Sequence, residues 1–372
     1  MNKPDYNNSI TNLSNSILKH FGAKNFHNTI PQIDEVLQGK KRVLVFLFDG
    51  MGKSILEKNL PSNSFLRSHI IRTISSTFPP TTAAATTSFL SAKYPIETGW
   101  LGWTIYFKEI DKLVNVFHNK DDVTGEVISG PNIMRQRCPY KNIAERINEA
   151  RNDEIAKLVF GYPVDTENPE VKKLKSFVKY AYKTAMEKEE SFTYAYWTSP
   201  DYEMHGEGTT GESVKKCIQK IDRYIRRYSH KNPDVCTLVI ADHGLIDVKW
   251  MDMGEHPDFL DTLERQFSIE KRCCSFQVKL GKHIEFNRLF KKYYGEYYTL
   301  FTKEEVLEQN LFGLAKPSKE SLEFLGDYLA VANSEYTIQP PKNEDKKKKF
   351  VMKAHHAGNT LDELEISVIA VN

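Results

Sequence analysis

Four stretches of the chain are short, nearly unbroken apolar runs rich in β-branched and aromatic residues: "RVLVFLFDG" (42–50), "SFTYAYWTS" (191–199), "CTLVIADHG" (236–244) and "EISVIAVN" (365–372). Such runs predict strands buried on both faces, as in a parallel sheet covered by helices. Between them, "PYKNIAERINEARN" (139–152), "EVKKLKSFVKYAYKTAMEKEE" (170–190) and "GESVKKCIQKIDRYIRRYSH" (211–230) place apolar residues at helical spacing. Strands alternating with helices predict an α/β/α sandwich around a mostly parallel central sheet.

Residues 251–345 break that rhythm with aromatic and charged patches such as "FNRLFKKYYGEYYTLFTKEE". They are expected to form an inserted cap that sets substrate specificity, leaving 1–250 plus 346–372 as a metal-binding catalytic core. The run "PPKNEDKKKKF" (340–350) reads as a solvated loop whose basic charge is a weak hint of anion attraction. No internal repeat is visible.

Composition narrows the picture. With 372 residues, 40% of them hydrophobic and 12% aromatic, the chain can bury a large core. Its 51 basic and 49 acidic residues leave a formal charge of +2, so no global field marks it for a nucleic-acid polymer or an anionic membrane. The first 21 residues lack the pattern of a secretory signal, and no apolar run is long enough to span a bilayer. Five cysteines show one vicinal pair and no C-x-x-C spacing. Reduced thiols and a cytoplasmic location are expected; oligomeric state is left open.

Candidate chemistry gathers where strands end, the edge at which open α/β sheets bind ligands. Asp49 closes the first strand in "FDGMG". Asp201 and His205 follow the second in "TSPDYEMHGEG", Asp242 and His243 close the third in "ADHGL", and "AHHAGNT" puts His355 and His356 before the last. Singly, each Asp reads as a turn or helix cap and each His as packing; the joint placement carries the argument. Asp201 and His205, four apart, share one face of a helical turn. Gly244 lets the backbone break so that Asp242 and His243 can both turn to the sheet edge. Mixed carboxylate and imidazole donors suit Zn²⁺ or Mn²⁺ better than Ca²⁺ or Mg²⁺, and three of each would give about three ligands per ion for two ions.

A nucleophile is sought in "SSTFPPTTAAATTSF" (75–89), which carries hydroxyls and no charge. A helix beginning near Thr82 would let its dipole and a cation stabilise an alkoxide there, whereas Thr81 or Thr82 serving only as an N-cap is the plain alternative.

In order and spacing, "LFDGMG", "TFPPTTAAATTSFLSAKYPIETGWLG", "SPDYEMHG", "ADHGL" and "HHAGNTLDE" resemble the alkaline phosphatase superfamily, nearest its nucleotide pyrophosphatase/phosphodiesterase branch. The resemblance implies an alkaline-phosphatase-like fold with two metal ions, Zn²⁺ first and Mn²⁺ as the alternative. Asp201, His205 and His356 would hold one ion, with His355 as the fallback for His356. Asp49, Asp242 and His243 would hold the other together with the nucleophile. That nucleophile is implied to be Thr82, twelve residues before Tyr94 of the "YP" that follows the small-residue helix.

The implied reaction is an in-line displacement on a phosphodiester or pyrophosphate bond of a small molecule, a nucleotide among the candidates, through a phosphothreonine intermediate. Two alternatives stand beside it: a phosphonate hydrolase of the phosphonoacetate hydrolase type, and a metal-binding protein without turnover. Relatives that cleave nucleotides carry an Asn three residues after the nucleophile, where this chain has Ala85. No arginine is evident beside the nucleophile, which favours a diester over a doubly charged monoester. Trp100, Trp103 and Tyr106 in "GWLGWTIYF" are expected either to stack on a flat leaving group or to pack in the core. Lys53 either caps phosphate or faces solvent.

Overall fold

The computed structural model of the protein describes residues 2–341 and 351–372. Its centre is a six-stranded sheet built from β1 (Arg42–Phe48), β2 (Ile70–Ser75), β3 (Ala156–Phe160), β4 (Ser191–Trp197), β5 (Val235–Ile240) and β6 (Glu365–Val371). The spatial order is β2-β6-β5-β1-β4-β3. The four strands β3, β4, β1 and β5 run parallel, in a register that pairs Phe48 with Trp197 and Leu47 with Ile240. Val43 to Phe48 are fully buried, as continuous apolar runs covered on both faces should be. Helices Leu174–Ala185 and Glu212–Ser229 put Phe177, Val178, Ile218 and Ile225 into the same core.

The last strand departs from the expected parallel arrangement. β6 runs antiparallel to both β5 and β2. Direction decides function here, because the residues preceding an antiparallel strand lie at the edge where its parallel neighbours end. The loop 354–360 therefore arrives beside Asp49 and Asp242; a parallel β6 would have sent it to the opposite edge.

A second, seven-stranded sheet orders Tyr298–Thr302, Tyr328–Ala332, Cys273–Phe276, Ser268–Ile269, Thr104–Phe107, Lys112–Asn115 and Lys120–Asp121, with antiparallel neighbours. Three of these strands come from residues 104–121, within the stretch expected to belong to the core. The second unit is thus assembled from two distant pieces of chain rather than from one insertion. Thr104–Phe107 alternates half-buried and buried positions and meets its partner through Thr104 opposite Ile269. A pairing so remote in sequence leaves no local signature. Behind this sheet, Trp100, Ile105, Phe107, Phe324 and Leu329 form a separate apolar core.

All five cysteines are free thiols. Among the described residues no helix is long and apolar enough to cross a membrane. Most of the basic run, residues 342–350, lies outside the described residues.

Candidate active site

The apolar strands push their polar ends to one edge of the sheet, and the site is built there. Asp49 follows β1 in a turn completed by Gly50, whose φ of +71° favours glycine and where a Cβ would lie 2.9 Å from the Asp201 Cβ. Asp242 follows β5; its Oδ1 accepts hydrogen bonds from the backbone N–H groups of Gly50 and His243, both at 3.0 Å. Gly244 is required for space rather than for an unusual φ, since a Cβ there would stand 2.0 Å from the Asp362 carbonyl oxygen. Asp201 and His205 lie in the short helix Asp201–Glu207, one turn apart, with His205 Nε2 3.2 Å from Asp201 Oδ2.

Donor atoms converge in two groups, each within 4.8 Å: Asp201, His205 and His356, and Asp49, Asp242 and His243. The rings of His243 and His356, one from each group, are 4.0 Å apart. Backbone carbonyls orient two of the imidazoles. His205 Nδ1 donates to the Ala354 oxygen at 2.8 Å and His243 Nδ1 to the Gly244 oxygen at 3.1 Å, which leaves each Nε2 lone pair facing the site. His355 is buried alongside, but its Nδ1 is engaged with the backbone of His356.

Electrostatically, three carboxylates are crowded out of water. Burial, then repulsion from Asp242 and Asp201, pushes the Asp49 carboxyl well above its ordinary range, against the hydrogen bond it accepts from Tyr196. Burial likewise raises Asp242, with His243 opposing. Burial would raise Asp201 too, but its pairing with His205 in the metal-free state outweighs it and holds the acid low. His356 is driven well below its usual value by burial and by the neighbouring His243, His355 and His205.

Asp201 Oδ1, Asp242 Oδ2 and His356 Nδ1 are buried with no hydrogen-bond partner among the described residues. Such groups cost free energy unless something compensates them. A set of three carboxylates and three imidazoles with orphaned donor atoms fits two divalent cations, three protein ligands to each.

Thr82 opens the helix Thr82–Ser91, all of whose residues are buried. Its Oγ1 lies 3.1 Å from His243 Nε2 and 3.4 Å from Asp49 Oδ1. Thr81 holds the N-cap position, but its side chain makes no capping bond and instead donates to Glu270 Oε1 at 2.5 Å. Ala85 is fully buried one turn into the helix and brings no polar group to the site.

A cavity of 1610 Å³ opens from Thr82 and Asp49 toward the second sheet. Of the three expected aromatic residues, Trp103 lines it and the other two do not. Trp100 is 2% exposed, its indole N–H held by the Cys138 carbonyl at 3.0 Å, so it is core. Tyr106 turns its hydroxyl to Asp111 and stacks its ring under Arg265 at 3.8 Å. Lys53 pairs with Glu365 at 2.7 Å and does not line the cavity.

Four wall residues escaped the sequence: Phe117, Tyr162, Trp250 and the buried acid Glu270. Burial pushes the Glu270 carboxyl up to about 7 despite the bonds it accepts from Thr81 and Trp103. Arg135 and Arg265 also line the cavity, with Arg265 lying over the Tyr106 ring. Tyr196, which donates to Asp49, was missed as well, although its place near the end of the strand adjacent to β1 was a local sign.

A family model described as type I phosphodiesterase / nucleotide pyrophosphatase matches residues 43–358. Among solved structures, an inactive variant of murine ectonucleotide pyrophosphatase/phosphodiesterase 5 in complex with AMP is similar. It is 15% identical, with a TM-score of 0.66 over 89% of this chain and 88% of that one. The human ectonucleotide pyrophosphatase/phosphodiesterase 5 is 14% identical, with a TM-score of 0.64 over 88% and 87%. Likeness at these identities establishes the fold. No curated protein sequence matches the chain. Since the family match runs from β1 to the loop that carries His356, the chain belongs to the type I phosphodiesterase/nucleotide pyrophosphatase family.

Proposed function

We propose that the protein is a two-metal hydrolase that cleaves a phosphodiester or pyrophosphate bond of a small molecule through a phosphothreonine on Thr82. The observation that carries this reading is the position of the Thr82 hydroxyl, at a buried helix start and 3.1 Å from His243 Nε2 beside the second donor group. Asp201, His205 and His356 would hold one cation and Asp49, Asp242 and His243 the other, Zn²⁺ first and Mn²⁺ as the alternative. When bound, the two ions supply positive charge to the attacking and leaving oxygens of an in-line displacement.

The chain's own residues do the rest. Asp49 accepts the Thr82 hydroxyl hydrogen bond and so orients Oγ toward the cavity. The hydroxyl proton is lost to solvent, the bond from Oγ to phosphorus forms as the bond from phosphorus to the leaving oxygen breaks, and that oxygen takes a proton from water, with the helix start favouring the negative charge on Oγ. Water then cleaves the phosphothreonine and restores the hydroxyl. Trp103, Phe117 and Trp250 offer apolar faces to a flat leaving group. The AMP complex of the murine relative supports a nucleotide as one candidate class.

The test is a substrate panel of aryl diesters, nucleotide pyrophosphates, monoesters and phosphonates, run after chelation with and without Zn²⁺ or Mn²⁺. Thr82→Ala is expected to lower kcat by at least about 10³-fold with metal content unchanged. A Thr82→Ala variant with full turnover would sink the mechanism. Cleavage confined to phosphonates would replace the substrate class.

A further inference from the structure

Glu270 is a buried carboxylate in the wall of the site that the mechanism above does not use. It sits in the turn between the strands Ser268–Ile269 and Cys273–Phe276, in the second sheet, and reaches across to the core. One oxygen, Oε1, accepts two hydrogen bonds: the Thr81 hydroxyl at 2.5 Å and the Trp103 backbone N–H at 3.0 Å. The residue before it, Ile269, has φ +78°, a region that β-branched side chains rarely occupy. A strained backbone next to a buried acid marks a position held by its surroundings for a purpose.

The geometry points to Glu270 as a positioning residue for the nucleophile. This inference rests on the reading of Thr82 as the attacking group. Thr81 is the N-cap residue, with φ −143° and ψ 149°, so its side chain and that of Thr82 leave the backbone on different sides. An N-cap threonine ordinarily folds its hydroxyl back onto its own helix. Here Glu270 takes that hydroxyl instead, which fixes the rotation of the Thr81–Thr82 peptide and with it the direction of Thr82 Oγ. The same oxygen binds Trp103, so the nucleophile and the aromatic wall of the cavity share one anchor. The second sheet thereby sets the attack geometry without supplying a reacting atom.

Glu270→Ala is expected to lower kcat on the order of 10²-fold, because a small misplacement of an attacking atom is that costly. Metal content should stay near wild type, and any rise in KM should stay below the roughly tenfold expected for Trp103→Ala, because only one backbone hydrogen bond of Trp103 is lost. Glu270→Gln, whose amide oxygen can accept the same two hydrogen bonds, should recover most of the rate. Thr81→Val should reproduce the loss by removing the other end of the contact, and Glu270→Ala combined with Thr81→Val should be no worse than either alone. Full kcat in Glu270→Ala or in Thr81→Val would overturn the inference. So would a Glu270→Gln variant as slow as Glu270→Ala, which would assign the effect to charge, or additive losses in the double variant. Thr82→Ala is measured alongside: if it is inactive while Glu270→Ala is fully active, only the positioning role fails, and if it is active, the nucleophile assignment itself fails.

Discussion

At the scale of single residues, two tryptophans three positions apart have opposite fates. Trp100 is enclosed in the second core with its N–H satisfied, whereas Trp103 faces the cavity and ties its backbone to Glu270. Trp100→Ala should therefore cost about 3–5 kcal/mol in urea unfolding. Trp103→Ala should leave stability nearly intact but raise KM for an aryl diester by roughly tenfold, about 1–2 kcal/mol of lost stacking. Equal effects in both assays would mean that the two side chains share an environment. Nothing in "GWLGWTIYF" separates them, because both residues are aromatic and both precede a strand. The Asp and His residues were far more legible, since buried ionisable groups at strand ends need partners and few arrangements supply them.

At the scale of elements, the loop that carries His356 is fastened by an ion pair from the second sheet. Arg272 donates to Glu363 at 2.7 and 3.0 Å and to the carbonyls of Ser334 and Tyr336, with both charged side chains fully buried. Glu363 in turn accepts from the Gly358 N–H, two residues after His356. Arg272→Met leaves a buried, unpaired carboxylate and should destabilise the protein by about 3–5 kcal/mol, read from urea or thermal unfolding. Arg272→Lys should recover little of this, because an ammonium cannot make the paired contact. An unchanged midpoint in Arg272→Met would show that the pair does not hold the loop. The helix Thr82–Ser91 was legible as an element, small residues following a Pro-Pro pair, but its partner Glu270 belongs to a turn between two strands far along the chain and left no sign.

At the scale of the whole molecule, two sheets meet over a charge cluster that is unstable alone. Ions bound only by the folded state stabilise it by mass action. Chelation should lower the melting temperature by at least about 5 °C, and added Zn²⁺ or Mn²⁺ should restore it. Asp242→Asn should shrink that difference, with calorimetry and metal analysis as the readout; a melting temperature indifferent to chelator would refute metal occupancy in solution. By itself the sequence determined four of the six central strands, missing Ile70–Ser75 and Ala156–Phe160, together with the helices between them, the order of the Asp and His motifs and the uncharged start of the Thr82 helix. Those features follow from local periodicity and from groups that must be satisfied wherever they are buried. Only the tertiary structure decided that β6 runs antiparallel and brings His356 to the site, that residues 104–121 join the second sheet, and that Glu270 and Arg272 brace the two halves. Strand direction and cross-sheet contacts depend on partners 91 or more residues away, and no local pattern encodes them.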